Sequence, residues 1–138
     1  MSVIVPKDGV KALQDIGLAD ATNYQIRCRL FKNDFTPDRD TVNGDLTECD
    51  FPGYAPSSPA YFGLAAPDIS GREVNQFPST TFTRSTTGTA QVAYGYYLTF
   101  ESSAKLLAVE RFSSPLSFTL AGDAFSIVPR ISGYSLFP

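Results

Sequence analysis

The run "QVAYGYYLTF", residues 91–100, decides the fold. Read with a period of two, it sets Val92, Tyr94, Tyr96, Leu98 and Phe100 on one face, with Ala93, Gly95 and Tyr97 opposite. That alternation suits a pleated strand. Upstream, "STTFTRST" is a Thr-rich strand with Phe82 inside. Downstream, "ESSAK" reads as a turn, "LLAVERF" as a strand, "SSP" as a break, "LSFTL" as a strand and "AGD" as a turn, before "AFSIVPRI" closes the body. Pro129 inside that last run predicts an edge strand, because proline cannot donate to a ladder.

The same period appears towards the N-terminus. In "NYQIRCRLF", Tyr24, Ile26, Cys28 and Leu30 face one way, and Gln25, Arg27 and Arg29 the other. The two arginines meet solvent or an acidic patch on a partner. About seven or eight short strands result, each followed by a turn signal, and no helical crossovers lie between them. That excludes a parallel sheet and predicts an all-β, antiparallel β-sandwich, jelly-roll-like. One short helix precedes it: Asp8 offers an N-cap, Val10, Leu13 and Ile16 follow at helical spacing, and Gly17 stops it. So short a helix must dock, on its own sheet or on a neighbouring subunit. The expected organisation is an N-terminal arm and helix over residues 1–20, then a single β domain over 21–138. Within that domain an ordered Pro/Gly-rich excursion covers about 52–76.

The chain has 138 residues, long enough to bury roughly 70% of its unfolded surface without staples. Charged residues make up 18%, below the usual quarter, and the net charge is −3 with no basic run. Nucleic acid as a partner is therefore excluded. Histidine is absent, which removes the commonest general base, the usual zinc ligand and both Ser-His and Cys-His pairs. Neither G-x-S-x-G nor a Gly-rich phosphate cradle occurs. Cys28 and Cys49 lack metal or redox spacing and read as small buried thiols. No stretch approaches the ~20 apolar residues of a membrane span, and "MSVIVPKDGV" has no signal-peptide organisation, which predicts a soluble protein. The chain is read as neither an enzyme nor a cofactor protein.

One segment could contradict that. "LFKNDFTPDRDTVNGDLTECDFPGYAP", residues 30–56, holds Asp34, Asp38, Asp40, Asp45, Glu48 and Asp50. Calcium needs six to eight converging oxygens, and the D-x-[DN]-x-[DN]-G order is not met. Glu48, Glu101 and Glu110 are candidate glycosidase-type carboxylates, yet no spacing marks a cleft. Turn chemistry explains the acids at less cost, so the segment is read as a strand-to-strand crossing with no metal. Apolar surface is the stronger signal. Val3, Ile4 and Val5 in the arm, Tyr54, Tyr61 and Phe62 in the excursion, and Leu136 and Phe137 in the charge-free tail are the expected partner-contact residues.

Five pieces in order carry a resemblance over nearly the whole chain: "IVP" before the helix, "RLFKNDFTPDRDTVNGDLTECDFPGYAP", "TFTRSTTGTAQVAYGYYLT", "LLAVERFSSPLSF" and "GDAFSIVPRI". Together they resemble small virion-associated proteins of tailed bacteriophages, with residues 56–76 and the tail lying outside the pattern. The resemblance implies an all-β structural protein of the virus particle with no catalytic residue. It also implies structural importance for Asp45, Thr47, Glu48, Gly53, Tyr54, Gly95, Tyr96, Tyr97, Glu110, Arg111 and Phe112. The expected role is a capsid decoration (cement) protein on the outer capsid surface, made in the host cytoplasm. Its partners would be the major capsid protein and itself, as a homodimer or homotrimer. Two alternatives are a tail, baseplate or fibre-attached component, and a carbohydrate-binding module with an exposed row of Tyr54, Tyr61 and Tyr97.

Overall fold

The structure is a computed structural model that describes residues 3–9, 25–60, 66–67, 73–101 and 105–132. Eight strands occur among them: β1 (Ile26–Phe31), β2 (Ala66–Pro67), β3 (Glu73–Gln76), β4 (Thr80–Thr83), β5 (Gln91–Phe100), β6 (Leu106–Phe118), β7 (Ala124–Ile127) and β8 (Arg130–Ser132). A 3-10 turn covers Asn43–Asp45. All strand pairings are antiparallel and form three small sheets, β1-β5-β6, β2-β3-β8 and β4-β7. Residues 7–9 are helical, and the remainder of the expected N-terminal helix lies outside the described residues.

The central sheet follows from the alternation in β1. Ile26, Cys28 and Leu30 are buried while Arg27 and Arg29 are half-buried on the other face. Paired across to Phe100, Leu98 and Tyr96 of β5, these apolar positions meet Phe51, Phe77, Phe82 and Phe118 in the main core. A second, smaller cluster of Phe31, Leu46, Tyr97, Leu106 and Val109 joins Ile4, Phe35 and Tyr94. Each fully buried aromatic contributes about 2–3 kcal/mol by leaving water. Cys28 and Cys49 are free, buried thiols in the main core, and burial pushes Cys49 up to about 12.

Three local readings need correction. "SSP" does not break the chain into two strands: β6 runs through it, and residues 112–115 bulge out opposite Tyr94 between the pairs Ala93–Leu116 and Gly95–Arg111. Pro115 is exposed there, so its missing N–H costs no ladder bond. The same bulge shifts the phase of β5. Tyr94 packs against the smaller cluster with Tyr97, while Ala93, Tyr96, Leu98 and Phe100 join the main core, so the expected single face is split. Finally, "AFSIVPRI" divides at Val128-Pro129 into β7 and β8, which belong to different sheets. Pro129 is buried at this changeover, and its carbonyl accepts the Phe77 N–H at 2.8 Å.

Candidate interaction surface

The six acids of residues 30–56 are occupied by the chain itself. Asp34 pairs with Arg111 at 2.6 Å, Asp40 with Lys7 at 2.5 Å and Asp50 with Lys32 at 2.9 Å. Asp38 accepts the Asp40 N–H at 2.8 Å in an Asx turn, and Asp45 accepts the Val42 N–H at 3.0 Å. Glu48 takes Arg29 Nη1 on both oxygens at 3.0 Å and the Tyr54 hydroxyl at 2.7 Å. Arg27 in turn pairs with Glu101. The acids that meet the two β1 arginines are therefore the chain's own. No group of three or more potential metal ligands occurs among the described residues.

Residues 47–60 close the outer edge of β1. An edge strand leaves a row of backbone donors and acceptors that need partners. Ile26 exchanges two bonds with Ala60, N–H to O at 2.8 Å and 3.1 Å. The Cys28 carbonyl accepts from Ser57 N–H at 2.9 Å, and the Leu30 carbonyl from Cys49 N–H at 2.9 Å; Lys32 N–H donates to Thr47 O at 2.8 Å. Two amides use side chains instead. Cys28 N–H donates to Ser57 Oγ at 2.8 Å, and Leu30 N–H to the Tyr54 phenol at 3.0 Å. Tyr54 sits there because its ring is stacked on Phe82 (5.7 Å) and edge-on to Phe51 (5.3 Å), and burial pushes its phenol up. Tyr54→Phe keeps that packing but leaves the Leu30 amide without an acceptor and takes one donor from Glu48, which keeps Arg29. It should cost about 2 kcal/mol in urea unfolding, whereas Ser58→Ala, at an exposed position on the same segment, should leave the midpoint unchanged.

Of the expected contact residues, Val5 is buried in the main core and Val3 packs against it. Ile4 exchanges bonds with Val109 at 2.8 and 2.9 Å along β6 and joins the smaller cluster. Tyr54 is half-buried with its hydroxyl turned onto β1. Tyr61, Phe62, Leu136 and Phe137 lie outside the described residues. The described arm and the start of the excursion thus spend much of their apolar surface on the chain's own core.

A different surface carries no charge. Residues 53–60 and 77–83 line a groove of about 480 Å³ whose thirteen lining residues, among them Pro56, Ser58, Pro78, Ser79, Thr81 and Thr83, include no acid or base. Thr81 and Thr83 of β4 are exposed beside Ala124 and Ser126 of β7, and the Thr81 and Ser126 hydroxyls meet at 2.6 Å. Residues 85–90 continue this surface, joined to it where Ser85 N–H donates to Pro52 O at 2.9 Å. They are exposed and uncharged, as are residues 120–122. Sequence reasoning passed over these residues because hydroxyls and single leucines lack a motif. The available signal was the sparse charge itself: residues 112–129 contain only Asp123, and 77–90 only Arg84.

Charge on the rest of the surface gives a pH response of known sign. Asp40 is held low by Lys7, Asp50 by Lys32 and Gln91, Glu101 by Arg27, and Asp123 by the Leu120 and Thr119 amides. Their contributions are present above their ordinary values of 3.8 or 4.5 and vanish as pH falls through the lowered ones. Glu110 is opposite: half-burial raises it from 4.5, so its contribution is present below 4.5 and lost as pH rises through the raised value. Glu110→Gln should therefore melt higher than the parent at about pH 7, with the difference closing by about pH 4 in thermal melts.

No helix among the described residues is long and apolar enough to cross a membrane. Comparison of the chain with protein-family models, curated proteins and solved structures finds no match.

Proposed function

We propose that this chain is a non-catalytic structural protein of a virus particle: a decoration (cement) protein on the outer surface of a phage head. In this reading its sheets pack as an antiparallel, jelly-roll-like sandwich, and it stabilises the head by bridging capsid subunits. The observation that carries the proposal is the division of the surface. Charged loops on the 30–56 side are tied up in internal pairs, and an uncharged, hydroxyl-rich surface spans β4, β7 and the loops beside them. Surfaces depleted of charge at their centre suit protein contact, and internally paired acids leave no obvious chemistry to perform. The order of five sequence pieces adds the virion setting. Modest contacts suffice there, because a protein that engages several lattice points gains from multivalency, and self-association as a dimer or trimer fits closed symmetry. A sugar-binding row is disfavoured: Tyr97 is buried and Tyr54 turns its hydroxyl inward.

The test is copy number in purified particles, by quantitative protein staining, combined with heat challenge of particles that lack the protein. Hundreds of copies and heat-labile deleted heads are expected. Tens of copies would move the protein to the tail or baseplate, and absence from particles would overturn the proposal.

A further inference from the structure

Leu120 is the most exposed large apolar side chain among the described residues, at 57%. A lone exposed leucine is ordinary; its setting is not. Thr119 and Leu120 both donate their N–H groups to Asp123 Oδ2 at 2.8 Å, and Asp123 N–H returns to Leu120 O at 3.0 Å. Gly122 turns the chain at φ +94°, a left-handed conformation that favours glycine, and donates to Arg84 O at 2.8 Å. The second loop is stitched on from the side: Ala121 N–H donates to Thr87 Oγ1 at 2.8 Å, and Gly88 N–H to Thr119 O at 3.1 Å. Beneath both loops lies Arg84, 3% exposed, whose guanidinium donates to Thr86 O at 2.6 Å, Thr89 O at 3.0 Å and Phe118 O at 2.8 Å.

Burying a guanidinium to fix two exposed loops is costly, and the core gains little from it, since residues 85–90 and 120–122 contribute nothing to either cluster. What is gained is a rigid tip, so little ordering remains to be lost when it docks. We infer that the loop pair 85–90 and 119–123 is a preorganised docking tip whose Leu120 seats in an apolar, uncharged pocket on the capsid subunit. This rests on the decoration-protein reading. The partner's neutrality follows from the tip's own: residues 85–90 and 119–122 carry no charge, Arg84 is buried, and the Asp123 carboxylate is committed to two amides. A charged pocket would lose water around its ions with nothing opposite to replace it.

Particles purified from a phage carrying the gene in deleted form provide the probe, and binding of added protein is measured by co-sedimentation. Leu120→Asp should weaken binding at least about tenfold with an unchanged melting temperature, and Leu120→Met should bind as the parent does. Affinity should change little between about 50 and 500 mM salt, as expected without ion pairing. If the parent binds and Leu120→Asp binds equally, the tip is not the contact and this inference falls while the decoration role stands. If the parent itself fails to bind, the decoration role falls and the inference with it. If Leu120→Asp loses binding only because it dissociates an oligomer in sedimentation velocity, the tip joins copies of this chain and the capsid pocket is overturned.

Discussion

Gly95→Ala should lower the unfolding free energy by about 3 kcal/mol, the upper part of the range for overpacking a core. Gly95 lies in the middle strand of the β1-β5-β6 sheet, just past the bulge opposite Tyr94. A Cβ added there would lie 2.5 and 2.6 Å from the Phe31 ring, and closer still to the Glu110 carbonyl oxygen. Neither neighbour can yield cheaply: the oxygen is backbone, and Phe31 is fully buried. The ring would have to leave its packing or β6 would have to separate from β5. Gly44→Ala is the control, because nothing lies within 4 Å of a Cβ at that position, and it should shift stability by less than about 0.5 kcal/mol. Urea titration followed by far-ultraviolet circular dichroism checks both, since the chain has no tryptophan to report by fluorescence. Equal midpoints for the two variants would mean that β6 can move aside, and the account of the central sheet would be wrong.

Arg84→Met should cost a comparable amount, about 3 kcal/mol. The side-chain volume is roughly kept, so the loss is of three hydrogen bonds from a charged donor. The Thr86, Thr89 and Phe118 carbonyls lose that partner, and bonds to charged groups contribute about 1.5–3 kcal/mol each before water replaces some of them. Exposure of Thr86 and Thr89 lets water recover part of the loss, which is why the total is set well below the sum. The variant should also become sensitive to limited proteolysis within residues 85–90. Arg84→Lys should rescue only partly, because a single ammonium cannot reproduce the guanidinium fork. Unchanged protease resistance with lowered stability would show that the loops hold themselves and that Arg84 supports only the Phe118 end.

Residues 26–31 show how much of this fold was readable in advance. Ile26, Cys28 and Leu30 alternate with Arg27 and Arg29, and a period of two is a property of neighbouring residues alone. The strand-rich, antiparallel character followed in the same way from short runs between turn signals. Tyr94 was unreadable for the opposite reason: its side of the sheet depends on a bulge in β6, and residues 112–115 look in sequence like a chain break. The acids of residues 30–56 were rightly read as turn chemistry for Asp38 and Asp45. Their cations were not visible, since Lys7 and Arg111 reach Asp40 and Asp34 only once the chain is folded. Arg84 was hidden within a Thr-rich run, where a single cation suggests solvent. Leu120 was passed over because its meaning lies in the loops that hold it.

The way β1 is bordered has one further consequence. Its outer amides end on a phenol, a serine hydroxyl and irregular backbone, so that side of the sheet presents no straight, vacant ladder. Copies of this chain crowded together cannot zip onto one another there, and that margin gives no template for cross-β stacking. On the proposed decoration role, which would gather many copies on one shell, Tyr54 and Ser57 would act as a safeguard against fibrils.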